Sequence, residues 1–220
     1  MELNQRFRRL VRRVQSQLRE KGFVAQGQTF WREREKLLQT IILKRSRWNT
    51  QTECEFWLII GVFIPELYTI VYGESPPAYP KEGYLTISLE IDSIPFYPRQ
   101  RETLRWQLRQ EEPPEMDERL WLAITHHLQT YAVPFLERFE TLWDVIEFLG
   151  WLRGHRREWF KWNQILPFDA WVPIYLAVLY WMVGDRGNCL RELEAFEKEE
   201  TTAYIRERFM RVKEYLLSSF

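Results

Sequence analysis

Apolar residues first recur at helical spacing: Leu3, Phe7, Leu10, Val11, Val14 and Leu18 form one stripe, which predicts a helix over 3–21. Gly22 stands where a helix C-terminus favours glycine. The period then shortens. Residues 23–32 read as a strand, with Phe23, Ala25 and Phe30 or Trp31 inward and Gly27 as a bulge. A charged turn at 33–36 leads to a second strand over 37–45, around Ile41-Ile42-Leu43. Residues 48–52 return the chain into Phe56–Ile64, an unbroken apolar run rich in β-branched and aromatic side chains. Continuous apolarity predicts a central strand covered on both faces, and Gly61 marks a bulge or a close backbone approach. Connections this short make the three strands an antiparallel meander.

Pro76, Pro77 and Pro80 mark 66–83 as a long connection. Alternation over 84–92 predicts a half-exposed fourth strand, with Leu85, Ile87, Leu89 and Ile91 on one face and Glu90 and Asp92 on the other. Residues 103–110 read as a short helix. Asp117 suits the N-cap of a helix to Tyr131, and Thr141 that of a helix over 142–153. Helical patterns follow at 170–183, at 189–199 and after Thr201. The expected fold is α+β: a four-stranded antiparallel sheet with helices 3–21 and 117–131 packed on one face, then an all-helical C-terminal extension. The division expected is a sheet domain over 1–150 and a helical extension over 151–220.

Gly22-Phe23, Gly27 to Phe30, Ile41 to Trp48, Phe56 to Ile64 and Tyr131 to Phe139 follow one another in an order that resembles a bacterial family of domains of unknown function, numbered four-three-zero-four, over roughly residues 1–150. The resemblance implies the sheet domain and no activity. The family usually carries glutamine where this chain has Lys44 and asparagine where it has Ile59. Its fourth strand usually carries polar and basic residues, for which 84–92 has no clean match.

Lys plus Arg and Asp plus Glu balance at 31 each, so no global field steers the chain to nucleic acid or membrane. The opening residues read as an Arg-rich amphipathic helix, not a signal peptide. The apolar run 171–183 contains Pro173 and is too short to cross a bilayer. The two cysteines, Cys54 and Cys189, form no metal or redox spacing. A cytoplasmic protein is expected.

No glycine-rich phosphate loop, nucleophile elbow or zinc-protease motif occurs. No catalytic, cofactor-binding or metal-ligating residue is assigned, and no cofactor is expected. Glu90 and Asp92 fit an acid pair, or solubilising residues on an exposed face, the commoner arrangement. Adjacent His126 and His127 cannot share a helix face and read as exposed or core-edge histidines. Arg6, Arg8, Arg9, Arg12, Arg13 and Arg19 lie opposite the apolar stripe, either as a solvated helix face or as a phosphate surface. Residues 154–162 interleave arginine with tryptophan; the stretch reads first as the join between the sheet domain and the C-terminal helices, and otherwise as a docking surface or a single-strand binder, for which the composition is common. The candidate surface is therefore Arg9, Arg13, Lys44, Arg45, Arg47, Arg156, Arg157, Trp159 and Trp162. The function expected is a non-enzymatic protein-binding module, an adaptor or immunity-type partner. The alternative is a nucleic-acid or anionic-surface binder working through the Arg face; no membrane partner is expected.

Overall fold

A computed structural model describes residues 2–98, 104–155, 171–198 and 201–219. Its N-terminal part runs α1 (Leu3–Arg19), β1 (Val24–Gln26), β2 (Thr29–Arg34), β3 (Leu37–Arg45), β4 (Glu53–Phe63), α2 (Pro65–Tyr72), β5 (Ile87–Glu90) and β6 (Trp106–Arg109). Among the described residues six helices follow: α3 (Pro114–His127), α4 (Val133–Leu136), α5 (Leu142–Gly154), α6 (Trp171–Met182), α7 (Arg186–Glu197) and α8 (Ala203–Ser218). The class is α+β with an antiparallel sheet, as expected, but among the described residues the sheet has six strands, not four.

The predicted meander is present. β3 pairs β4 antiparallel with Ile41 opposite Ile60 and Leu43 opposite Leu58. The other edge of β4 is shared: β5 pairs its second half, with Leu89 opposite Ile60, and β6 its first half, with Leu108 opposite Cys54. The extra strands come from two corrections. Residues 23–32 are two strands, because Gly27 at φ +61 makes the two-residue turn of a hairpin instead of a bulge. Residues 106–109, read as helix, alternate in burial as a strand, with Trp106 and Leu108 inward. The predicted fourth strand shrinks to β5, flanked by short 3₁₀ turns at 82–84 and 91–93 and buried on both faces.

One face of the sheet builds the main core. Phe56, Leu58, Ile60 and Val62 from β4 join Phe7, Leu10, Val14 and Leu18 from α1, and Ile124 from α3. The Phe7 ring meets Phe56 edge-on at 5.3 Å. The same core continues through Ile174, Leu193 and Phe209 of the C-terminal helices. The second face carries Ile42, Ile59 and Phe63 under Tyr68 and Leu85, so α2 and the segment after it close this side. α2 falls inside the stretch read as connection; Pro65 opens it and Gly73 at φ +70 ends it.

Helix α3 begins three residues before Asp117 and passes into a π turn at 128–132 before α4. Pro134 has no N–H to offer Thr130, which accounts for the register change. At α5 the expected cap is present: Thr141 and Asp144 form a reciprocal capping box. The last two helices also start off the predicted residues, α7 at Arg186 and α8 behind a Thr202 cap. Among the described residues no helix is long and apolar enough to cross a membrane.

Candidate interaction surface

The arginine row of α1 divides in two. Arg6 was expected in water but is 6% exposed. Its Nε lies 3.0 and 3.1 Å from the two carboxylate oxygens of Asp117, and Nη1 donates to the Arg109 carbonyl. This bond to Asp117 pushes the Arg6 pKa further up. The correction has a geometric cause: Arg6 stands at the border of the apolar stripe, where the start of α3 closes over it. Arg13 pairs with Glu118 at 2.6 Å and lies over the Trp121 ring at 4.6 Å. Arg6, Arg9 and Arg13 line a groove of about 450 Å³ opposite Glu112, Glu115, Asp117 and Glu118. Three guanidiniums facing four carboxylates leave little field for a phosphate. Arg9→Ala plus Arg13→Ala should leave the melting temperature nearly unchanged, because exposed pairs contribute little. Arg6→Ala should cost about 1.5–3 kcal/mol, the worth of hydrogen bonds to a charged group, measured by urea unfolding.

The basic end of β3 also splits. Lys44 and Arg45 alternate, so they point to opposite faces. Lys44 pairs with Glu82 on the second face. Arg45 lies on the α1 side, over the Phe7 ring at 4.9 Å and 3.5 Å from the Asn4 side chain. Beyond it, Arg47 lies over the Trp48 ring at 4.9 Å. Trp48 is 78% exposed, the largest such exposure among the described large apolar side chains. The loop that carries it is tied down. Asn49 accepts from the Glu55 N–H at 2.7 Å and donates to the Glu55 carbonyl at 3.0 Å. The Thr50 hydroxyl accepts from the N–H groups of Thr52 and Glu53. The structure thus brings Arg45, Arg47 and Trp48 to one hairpin tip and sends Arg9, Arg13 and Lys44 elsewhere. Arg156, Arg157, Trp159 and Trp162 lie outside the described residues.

Buried charge appears where the sequence suggested an open face. Glu90 is 3% exposed and holds Arg105 at 2.8 and 2.9 Å, so it is no solubilising residue. Arg105 in turn lies over the Trp57 ring at 4.3 Å. Burial raises the Glu90 pKa against the opposing pull of Arg105, with Asp92 and Glu82 adding to the rise. Asp92 accepts the Leu104 N–H at 2.6 Å. Among the described residues no three His, Cys, Asp or Glu side chains converge as a metal site. Both cysteines are buried and unpaired, and burial pushes their thiols up, to about 11 for Cys189.

His127 sits at the core edge. Its Nδ1 is 2.7 Å from the Ala123 carbonyl and so carries the proton, and its Nε2 accepts from the Tyr97 hydroxyl at 2.9 Å. Burial pushes Tyr97 up to about 12 and His127 below its ordinary 6.5. A depressed folded value means that the unfolded chain takes up the proton first. This contribution to stability is therefore complete above pH 6.5 and is lost as the pH falls through it. His127→Gln should flatten the acid limb of stability against pH, read from urea midpoints on either side of that value.

The model of a family described as a domain of unknown function, DUF4304, matches residues 14–138. No curated protein and no solved structure matches the chain.

Proposed function

The chain belongs to the DUF4304 family, and within that family we propose that it is a non-enzymatic protein-binding module, an adaptor or immunity-type partner, that works through the β3–β4 hairpin. The observation that carries this reading is Trp48, an indole held 78% in water on a loop fixed by its own hydrogen bonds. Leaving an indole in water forgoes about 1.5–3 kcal/mol of burial, which a partner surface recovers. A loop already ordered loses little entropy on binding. Tryptophan and arginine are also the side chains most enriched among interface anchors. Arg47 supplies the second anchor against the same ring. The reading takes the partner to be another protein of the bacterial cytoplasm, where two buried thiols stay reduced.

A nucleic-acid partner is the weaker reading. The groove beside Arg9 and Arg13 is lined by four carboxylates, and Lys44 is spent on Glu82. The test uses the full chain as bait in native lysate, with Trp48→Ala and Arg47→Ala beside it. A stoichiometric protein captured by the wild type and lost by Trp48→Ala, at unchanged melting temperature, is the expected result. Oligonucleotide binding that weakens steeply with salt, without a protein partner, would overturn the proposal.

A further inference from the structure

Stacking on aromatic rings divides the arginines by what it leaves unspent. A guanidinium lying on a ring uses its flat face and keeps its in-plane N–H groups for acceptors. Elsewhere among the described residues those groups are taken. Arg13, over Trp121, pairs with Glu118, and Arg105, over Trp57, pairs with Glu90. Arg208, over Tyr72 and Tyr204, donates to the Tyr72 carbonyl at 2.6 Å. Arg32, over Phe23, donates to the Gln39 side chain and to the Lys21 carbonyl. The two arginines at the β3–β4 hairpin tip differ. Arg47, exposed over the Trp48 ring, has no carboxylate or carbonyl acceptor among the described residues. Arg45, half-buried over the Phe7 ring, reaches the Asn4 side chain at 3.5 Å and the Cys54 thiol, a weak acceptor, and neither is charged. The hairpin's own carboxylates, Glu53 and Glu55, lie on the opposite face, where Glu53 pairs with Arg109.

Resting on the protein-binding reading of this hairpin, we propose that the partner meets it with a cluster of aspartate or glutamate side chains, and that Arg45 and Arg47 select that cluster. A carboxylate accepts two parallel N–H bonds from one guanidinium, and ring stacking leaves those donors in place. Both side chains already rest on rings, so docking costs them little rotamer freedom. Arg8, Arg12 and Arg19 of α1 are exposed too, but among the described residues no ring or carboxylate holds them. A ligand would have to order each of them at the cost of its side-chain entropy. Positive charge alone therefore does not define the surface. A nucleic-acid strand offers phosphates to the same two guanidiniums. Yet Lys plus Arg only equals Asp plus Glu over the whole chain, which leaves little to hold a long polyanion.

The test measures binding of a fluorescein-labelled decaglutamate peptide to the full chain by anisotropy at low salt, with a labelled decathymidylate beside it. Arg45→Gln plus Arg47→Gln should weaken decaglutamate at least about tenfold, since hydrogen bonds between charged groups are lost. Arg12→Gln plus Arg19→Gln removes the same charge and should change the affinity less than about twofold. Equal weakening by the two pairs would reduce the effect to net charge and overturn the proposal. No binding of decaglutamate, or tighter binding of the oligonucleotide, would overturn it as well. Should the hairpin double variant fail to fold, Arg47→Gln alone, at an exposed position, must still weaken decaglutamate at least about threefold, and no change there is equally fatal. The outcome is separable from that of the lysate capture. A protein held through Trp48 without any decaglutamate binding keeps the hairpin as a docking surface and removes its preference for acid. Decaglutamate binding with no protein captured keeps the preference and removes the protein partner.

Discussion

Gly61→Ala is expected to be the most damaging single substitution in the sheet. A Cβ at this position would stand 1.9 Å from the Ile87 carbonyl oxygen and 3.0 Å from the Leu85 side chain. Neither strand can move aside cheaply. Val62, the next residue, pairs with Ile87 and accepts the Thr86 N–H, and β3 holds the other edge of β4. Overpacking costs about 1–3 kcal/mol where side chains can yield, and backbone is the obstacle here, so a loss of at least about 3 kcal/mol is expected. Displacing β5 would also draw Glu90 away from Arg105. The control is Gly150, within α5, where an added Cβ meets nothing within 4 Å and no positive φ is required. Gly150→Ala should gain about 0.5–1 kcal/mol, the usual difference inside a helix. Urea unfolding of both variants checks the contrast.

Phe7→Ala is the second large effect. The ring is buried, meets Phe56 edge-on and carries the Arg45 guanidinium on its face. Truncating a buried phenylalanine costs about 3–5 kcal/mol through lost transfer energy and the cavity left behind. The upper half of that range is expected, because the same change removes the aromatic pair and the surface against which Arg45 rests. A loss no larger than that of Arg9→Ala plus Arg13→Ala would mean that α1 is held by its charges and not by its stripe.

Long periodic elements were legible in the sequence because their patterns repeat enough to be unambiguous. Helix α1, the β3–β4 pair and the Thr141 cap all fell where predicted. Four-residue strands do not repeat. Trp106–Arg109 offers two inward positions, which a helix satisfies as well, and β6 was read as one. Gly27 was ambiguous for a different reason: a glycine between β-rich runs marks either a bulge or a hairpin, and only the register decides. The buried charges were hidden by distance along the chain. On α1 Arg6 stands nearer the apolar stripe than Arg9, but its burial follows only once Asp117, 111 residues away, is placed beside it. Asp117 in turn looked like an N-cap because its actual partner lies on another element. Glu90 looked solvated because Arg105 was assigned to a helix. Alternation of Arg105, Gln107 and Arg109 was the available signal, since it sets these side chains on the face of Glu90, Glu55 and Glu53. Trp48 was visible only as part of a loop. Its exposure follows from how Asn49 and Thr50 fold that loop back on Glu53 and Glu55.

The most direct test of the protein-binding role is to replace Trp48 with a photo-crosslinking amino acid in the full chain and irradiate it in native lysate. Arg12, exposed on the far side of α1, serves as the control position. The account predicts one adduct of defined mass from position 48, a protein, with none from position 12. No adduct at 48, or the same adducts from both positions, would contradict it.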